Sequence, residues 1–368
     1  MQQILRELDA DCPDIEGVAD RLVALAADRP DAVVSALLAI ENPPLPVRKV
    51  LVRVLGELAP EVTAGLPVLV RILCDATEQE HTRVDAAAAL CNHCRAAVDA
   101  LVALCQDPDP FVRDQAVNAL GNIGIYSDVV FETLAGALSD PVRDVRNSAI
   151  RSLSRNGDGT VVPGLTRLLG HAEPVTRIGA AHVLLALDPR NPAALRTAIA
   201  GLEGETPTAR ALACDALAVA KEEARPAVTT LCRVLTDEDA VVRSRAAYAL
   251  QEMRDAGRGA IKALGKALHD SYREVRDWSG LALMRLGAEA SAGAADVIQA
   301  LQLRVQKPSD PEDSERYFLV YLVRSVGNLG PVAKAALPAL KEAETIVADI
   351  AEQQALVRWA IRRCQGKG

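Results

Sequence analysis

Apolar residues recur along the chain at helical spacing, in pairs of short segments separated by a polar break. After Arg113, for example, small or apolar residues stand at Ala116, Val117 and Leu120, as on one face of an amphipathic helix with a period near 3.6. A second apolar-periodic segment, VFETLAGAL at 130–138, precedes the next such helix. The pattern predicts a unit of two helices joined by a short turn.

This two-helix unit repeats. Arginine returns at the same point of the unit, at Arg48, Arg83, Arg113, Arg146, Arg177, Arg210, Arg243 and Arg276. Successive spacings are 30–35 residues, a period typical of a repeat array. The 368 residues also exceed the roughly 250–300 at which a single core stops growing. We therefore expect an all-α protein of about ten helix–turn–helix units.

The turn inside the unit carries opposite charges. In four units an aspartate precedes the arginine by six residues: Asp107 and Arg113, Asp140 and Arg146, Asp237 and Arg243, Asp270 and Arg276. Aspartate suits a helix N-cap, and the prolines that follow some of these aspartates suit the first helical position. Carboxylate and guanidinium can pair within a repeat or with the neighbouring one, so we expect a structural ladder of ion pairs.

The ladder is not uniform. Asn42, Thr77, His171 and Gly204 replace the aspartate in four units. The segment QKPSDPEDSER at 306–316 is longer and acidic, and we expect it to be an exposed loop that interrupts the ladder.

The Asp-x5-Arg turns and the VRxxAxxAL helices at 112–120, 145–153 and 242–250 resemble the HEAT-repeat family, especially the bacterial HEAT-like repeats also found in phycobilisome lyases. The resemblance implies a right-handed α–α superhelix, that is, one α-solenoid over residues 1–368. We expect an N-terminal cap at 1–30, repeats at 31–330 and C-terminal capping helices at 331–368, because the end segments depart from the repeat.

Net charge and hydropathy limit the partners. The charge is −8, whereas proteins that bind nucleic acid usually carry a basic surplus, so the balance argues against nucleic acid. No apolar run approaches the roughly 20 residues of a membrane span, and we expect no membrane partner. The N-terminal segment lacks the order of a secretion signal, so we expect a cytoplasmic location.

Candidate chemistry is sparse, and we expect neither an enzyme nor a cofactor. The sharpest metal candidate is CNHC at 91–94, where Cys91 and Cys94 have zinc-like spacing. ALCNHC at 89–94 aligns with ALGNIG at 119–124, where small residues end the helix. We therefore interpret Cys91 and Cys94 as structural thiols and expect no metal. Through the same resemblance, a phycobilin-lyase-like enzyme or chaperone stays an alternative. So does a HEAT-like DNA alkyl-base glycosylase that would use the Asp277–Trp278 pair and Trp359.

The second helix of each unit should line the concave face, and its outward positions define a candidate partner-binding surface. Tyr, Trp and Arg are the residue types most frequent at binding hot spots. The candidates are Asn118, Arg151, Arg155, His182, Arg245, Tyr248, Trp278 and Arg285. The alternative is that these side chains pack over neighbouring repeats or are simply solvated. The leading hypothesis is a scaffold or adaptor that binds another protein carrying acidic groups.

Overall fold

The computed structural model describes residues 15–40, 43–59, 63–155, 159–306, 315–348 and 350–367. The protein is 81% helical, and these residues contain no β-strand. They form two compact units that divide after Gly164. The expected 306–316 loop lies almost wholly outside the described residues, as do Asn42 and the first 14 residues of the expected N-terminal cap.

The first unit contains nine helices among its described residues, and a tenth helix crosses the division. Their bounds are α1 (Ile15–Ala26), α2 (Pro30–Leu38), α3 (Leu45–Glu57), α4 (Leu66–Cys74), α5 (Glu80–Asn92), α6 (Val98–Leu104), α7 (Pro110–Ile123), α8 (Asp128–Gly136), α9 (Arg143–Ser154) and α10 (Val162–Leu168). Helices α3, α5, α7 and α9 pack side by side in one layer, which α1 begins. Helices α4 and α6 pack against the helices that follow them, α5 and α7.

The second unit repeats the same arrangement. Its helices are α11 (Pro174–Leu187), α12 (Pro192–Gly201), α13 (Pro207–Ala220), α14 (Val228–Val234), α15 (Ala240–Glu252), α16 (Ile261–Ala267), α17 (Arg273–Leu286), α18 (Ala294–Val305), α19 (Glu315–Leu329), α20 (Leu337–Ile346) and α21 (Ala351–Cys364). Odd-numbered helices pack on one another in sequence, and the even-numbered helices form a second layer. The pairs from α2–α3 to α20–α21 agree with the predicted number of units. The expected caps at 1–30 and 331–368 stay a prediction.

The core lies between the two layers and consists of small and branched apolar residues. In α15, for example, Val242, Ala246, Ala249 and Leu250 are buried, which is the predicted stripe. Glycine allows the closest helix approaches: a Cβ on Gly121 would lie 2.1 Å from the Ser152 hydroxyl oxygen. Small residues at such contacts therefore set the spacing of the second-helix layer.

Helix starts differ in one respect from the prediction. Asp109 caps α7 by accepting a hydrogen bond from the Phe111 amide at 2.9 Å, and Asp239 caps α15 in the same way. These caps follow Asp107 and Asp237 by two residues, so the ladder aspartates are not themselves the N-caps. Their carboxylates instead accept the amide two residues further on, which leaves them at the turn.

Several of the second helices are followed by a residue with positive φ. Gly124, Gly287 and Gly330 have φ of 69°, 61° and 58° just beyond the second helix. Cys94, Lys221 and Arg254 occupy the corresponding places with φ of 50°, 51° and 49°. A side chain is strained in this region, whereas glycine is not. In these repeats a positive φ therefore follows the second helix whether or not glycine is present, whereas Asp188 after α11 has φ −141°.

Candidate partner-binding surface

Ion pairs between neighbouring repeats fix the turns from which the second helices start. Arg113, Arg210 and Arg243 each bind an aspartate 27 residues later, through Nε and Nη2 to the two carboxylate oxygens at 2.7–3.0 Å. The partners are Asp140, Asp237 and Asp270. Two parallel charge-assisted bonds hold both distance and orientation. We refer to these three pairs as the ladder.

The third nitrogen of each guanidinium, Nη1, donates to a backbone carbonyl in the turn that precedes the arginine. Nη1 of Arg243 donates to the Asp237 carbonyl at 2.9 Å, and Nη1 of Arg113 and Arg210 donate to the carbonyls of Asp107 and Gly204 at 2.9 and 3.0 Å. Arg146 and Arg276 donate in the same way to the carbonyls of Asp140 and Asp270. Each ladder arginine thus closes its own turn and binds the turn of the next repeat. The pairing that connects side chains is between repeats, not within one.

Ladder carboxylates are held in the ionised form. Burial raises the pKa of Asp270, but hydrogen bonds from Arg243 and from the Tyr272 amide outweigh that effect and hold the pKa below its usual range. The same balance lowers the pKa values of Asp140 and Asp237. Folding therefore favours the charged carboxylates at neutral pH.

The expected ladder role of Asp107 needs correction. Its carboxylate accepts the Asp109 amide at 2.8 Å, and the described residues show no arginine paired with it. Arg83 instead binds Asp109 at 2.6 Å and lies over the Phe111 ring. The reason is the shorter repeat, because Arg83 precedes Arg113 by 30 residues rather than 33. Its guanidinium therefore lies beside Asp109 and not beside Asp107.

In the first unit, the predicted contact residues are largely engaged with their neighbours. Nη2 of Arg151 donates to the Ser148 hydroxyl at 2.7 Å, and Arg155 donates to the Asn122 side-chain oxygen. The side-chain oxygen of Asn118 is buried without a hydrogen-bond partner. These three residues share a helix layer, but within the described part of the chain no hydrogen bond or ion pair joins them into one site.

In the second unit, His182 lies on α11 with its ring only partly accessible. Its Nδ1 atom is buried, and no described residue hydrogen-bonds to it. Burial lowers the pKa of His182 to about 4, so the ring is neutral near pH 7. His182 therefore offers a neutral imidazole rather than a cation.

Tyr248 and Trp278 are brought together. They lie on the adjacent helices α15 and α17, and their ring centroids are 4.9 Å apart in an edge-to-face arrangement. Both rings are half-buried, and no described residue hydrogen-bonds to the Tyr248 hydroxyl or the Trp278 indole N–H. An aromatic pair with unpaired polar atoms at a surface is well suited to contact another protein.

Charges of both signs surround the aromatic pair. Arg245 lies 3.8 Å from an Asp215 carboxylate oxygen, and Arg285 lies 4.0 Å from Glu252. Burial, followed by the nearby carboxylates of Glu252 and Asp215, raises the pKa of the Tyr248 hydroxyl. The sequence places these two acids, like the arginines, at outward positions of the second helices, and they face the arginines from adjacent helices. The surface is therefore mixed in charge rather than simply basic.

A second concavity was not predicted. A cavity of about 510 Å³ in the first unit lies between α1, α3 and α5, with Lys49, His81 and Asp85 in its lining. Arg53 joins α3 to α1 by pairing with Glu16 and Asp20, and it also pairs with Glu57 of its own helix. Only the i, i+4 spacing of Arg53 and Glu57 signals this cluster in the sequence.

The cysteines do not assemble with other metal ligands. Among the described residues, no group of three or more His, Cys, Asp or Glu side chains has the arrangement of a metal site. Cys91 donates to the Ala119 carbonyl at 3.2 Å, which places it at a helix contact. The His93 ring is fully buried beside it, and burial lowers its pKa.

No helix within the described part of the chain is both long and apolar enough to span a membrane.

Trp359, another residue considered for base recognition, packs against Gly327 of the preceding repeat.

The chain is similar in structure to several solved proteins. An engineered protein from a structural genomics consortium has a TM-score of 0.50 and 20% identity, over 95% of this chain and 99% of its own. Kap121p, solved bound to Pho4p, has a TM-score of 0.54 and 12% identity, over 95% of this chain and 52% of its own. Importin beta has a TM-score of 0.50 and 13% identity, over 99% of this chain and 59% of its own. At these identities the likeness shows the fold alone.

Sequence comparison identifies the family. No curated protein matches the sequence at a significant level. The family model of HEAT repeats matches at residues 78–154, 131–218, 195–284 and 228–317, which together span more than half of the chain. The predicted all-α repeat fold is thereby confirmed as a HEAT-repeat solenoid. The chain belongs to the HEAT-repeat family.

Proposed function

We propose that this protein is a non-catalytic scaffold that binds another protein through the second-helix layer of its C-terminal unit. The observation on which the proposal rests is the Tyr248–Trp278 pair, with its half-exposed rings and unpaired polar atoms. HEAT-repeat solenoids are typically non-catalytic. The cytoplasmic location expected from the sequence is part of this proposal.

One structural neighbour supports protein binding as the activity. Kap121p was solved bound to Pho4p, so a HEAT-repeat chain of this fold does hold a protein partner. A fold alone does not determine function, and the argument for this chain therefore depends on its own residues. Here those residues are aromatic, which is the composition of binding hot spots.

The partner we propose carries acidic groups among its contacts. Arg245 and Arg285 lie beside the aromatic pair, and both guanidinium groups remain partly accessible. Asp215 and Glu252 partly offset them, so apolar contact with the two rings should supply more affinity than charge.

The test compares Tyr248→Ala and Trp278→Ala with the unchanged protein in affinity purification from the source cell. Each substitution should lower recovery of the partner at least tenfold, because it removes an aromatic anchor. Tyr272→Ala is the matched control, since Tyr272 is an exposed aromatic in the turn before α17. Equal recovery with all three variants, at unchanged circular dichroism, would refute the proposal.

A further inference from the structure

Arg177 stands in the ladder position of its repeat, but its carboxylate partner is missing. Its Nη1 donates to the carbonyls of His171 and Ala172 at 2.7 and 2.8 Å. Arg243 uses the same nitrogen for the carbonyls of Asp237 and Glu238. The Arg177 guanidinium is therefore anchored to its own turn in the same way as the ladder arginines.

Gly204 occupies the place where the carboxylate would be. Nη1 of Arg210 donates to the Gly204 carbonyl at 3.0 Å, as Nη1 of Arg243 does to the Asp237 carbonyl. Gly204 also follows Arg177 by the 27 residues that separate Arg210 from Asp237. Glycine has no carboxylate to contribute at this position.

The open edge of Arg177 has a defined chemistry. In Arg210 and Arg243, Nε and Nη2 form the edge that donates hydrogen bonds to both oxygens of a carboxylate. No hydrogen bond or ion pair joins these two nitrogens of Arg177 to any residue that the structure describes. The nearby carboxylate of Glu203 is already paired with Arg233 at 2.8 Å.

We propose that Arg177 is a binding site for a carboxylate from outside the chain, which takes the place that Asp237 and Asp270 take against Arg210 and Arg243. A planar guanidinium fork fixed by two carbonyl bonds is preorganised for a planar, two-oxygen anion. The carboxylate belongs either to a small organic acid or to an acidic side chain of a protein. The site is separate from Tyr248 and Trp278, and it goes beyond the proposed function.

The first experiment follows the Nε–H signal of each arginine by NMR during titration with sodium acetate. Acetate should shift the Arg177 signal saturably, whereas sodium chloride at equal ionic strength should not. The Arg243 signal is the internal control, because its fork is filled by Asp270. An Arg177 response to acetate no larger than the response to chloride would overturn the proposal.

The second experiment fills the site from within the chain. Gly204→Asp should abolish the acetate response and raise the urea midpoint above that of Gly204→Ala. The alanine variant is the matched control, because a Cβ at this position would lie 3.1 Å from the Ala209 Cβ. In an Arg177→Gln background the aspartate should give no such gain. An equal gain in both backgrounds would show that the fork does not face this position.

The source of the carboxylate is distinguished by a third titration, with a blocked tetrapeptide containing one glutamate and its glutamine counterpart. Binding of the glutamate peptide at least tenfold tighter than acetate would assign the site to a protein side chain. Equal affinities would assign it to a small organic acid. Equal binding of the glutamate and glutamine peptides would contradict carboxylate recognition. Because this readout uses Arg177 alone, its failure is independent of partner binding at Tyr248.

Discussion

At the residue scale, several described residues lie in environments that do not suit them: buried histidine nitrogens have no hydrogen-bond partner, and two long side chains stand where the backbone favours glycine. His182 has a buried ring nitrogen with no hydrogen-bond partner, and the His93 ring is fully buried. Lys221 and Arg254 adopt positive φ where sister repeats have glycine. Each departure lowers stability by a mechanism that can be measured separately.

His182 should make stability depend on pH. Its folded-state pKa of about 4 lies below the roughly 6.5 of an unfolded chain. The unfolded state therefore binds more protons between these values, and stability should fall as pH drops from about 6.5 to about 4. His182→Met should reduce this slope, measured by urea unfolding at several pH values.

A direct NMR titration of the His182 ring should give a pKa near 4. A titration midpoint near 6.5 would contradict the account.

Relief of backbone strain should stabilise the chain at Lys221. Lys221 has φ 51° and ψ −125°, close to the φ 61° and ψ −134° of Gly287. Lys221→Gly should therefore raise the free energy of unfolding by about 0.5–1 kcal/mol. Gly287→Ala should lower it by about 1–2 kcal/mol. No atom lies within 4 Å of the added methyl, so only the backbone is tested. Opposite signs for either variant would be inconsistent with strain at these helix ends.

At the element scale, each ladder pair joins the turns of two neighbouring repeats and so couples their helix pairs. Arg243 and Asp270 are both largely buried, at 14% and 12% side-chain exposure. Removing one member of such a pair leaves a buried charge without its partner, which is more destabilising than removing both.

The ladder prediction is a double-mutant cycle at Arg243 and Asp270. Arg243→Met should lower the free energy of unfolding by about 3 kcal/mol. Arg243→Met with Asp270→Leu should lower it by less than the sum of the single variants, with a coupling of about 1–3 kcal/mol. The coupling should fade as pH drops through the lowered pKa of Asp270, since protonation removes the ion pair. Additive effects at pH 7 would mean that the two side chains act independently.

The helix pairs and the spacing of the arginines were predictable because the same pattern recurs in many repeats. A departure in one repeat therefore does not hide the pattern. The partner of Arg83 was not predictable, since a repeat three residues shorter moved the contact from Asp107 to Asp109. The pairing of Arg245 with Asp215 and of Arg285 with Glu252 was not predicted either, because each pair joins two adjacent helices. Which side chains of two neighbouring repeats face each other depends on how the repeats are aligned. A single sequence predicts that alignment only where the repeats have the same length.

At the scale of the whole molecule, the two compact units offer different surfaces. The first has a cavity of about 510 Å³ beside Arg53 and its three acidic partners. The second has the aromatic pair with charges of both signs. The proposed function assigns partner binding to the second surface, because aromatic side chains lose little conformational freedom on binding.

The most direct test of that assignment is site-specific photo-crosslinking in the source cell. A photoreactive phenylalanine analogue at position 248 should capture one predominant protein, identified by mass spectrometry. The same analogue at Lys262, an exposed position on α16, should not capture that protein. Adding Trp278→Ala to the position-248 variant should abolish the adduct. No adduct at 248, or the same adducts at both positions, would contradict a scaffold that binds its partner through Tyr248 and Trp278.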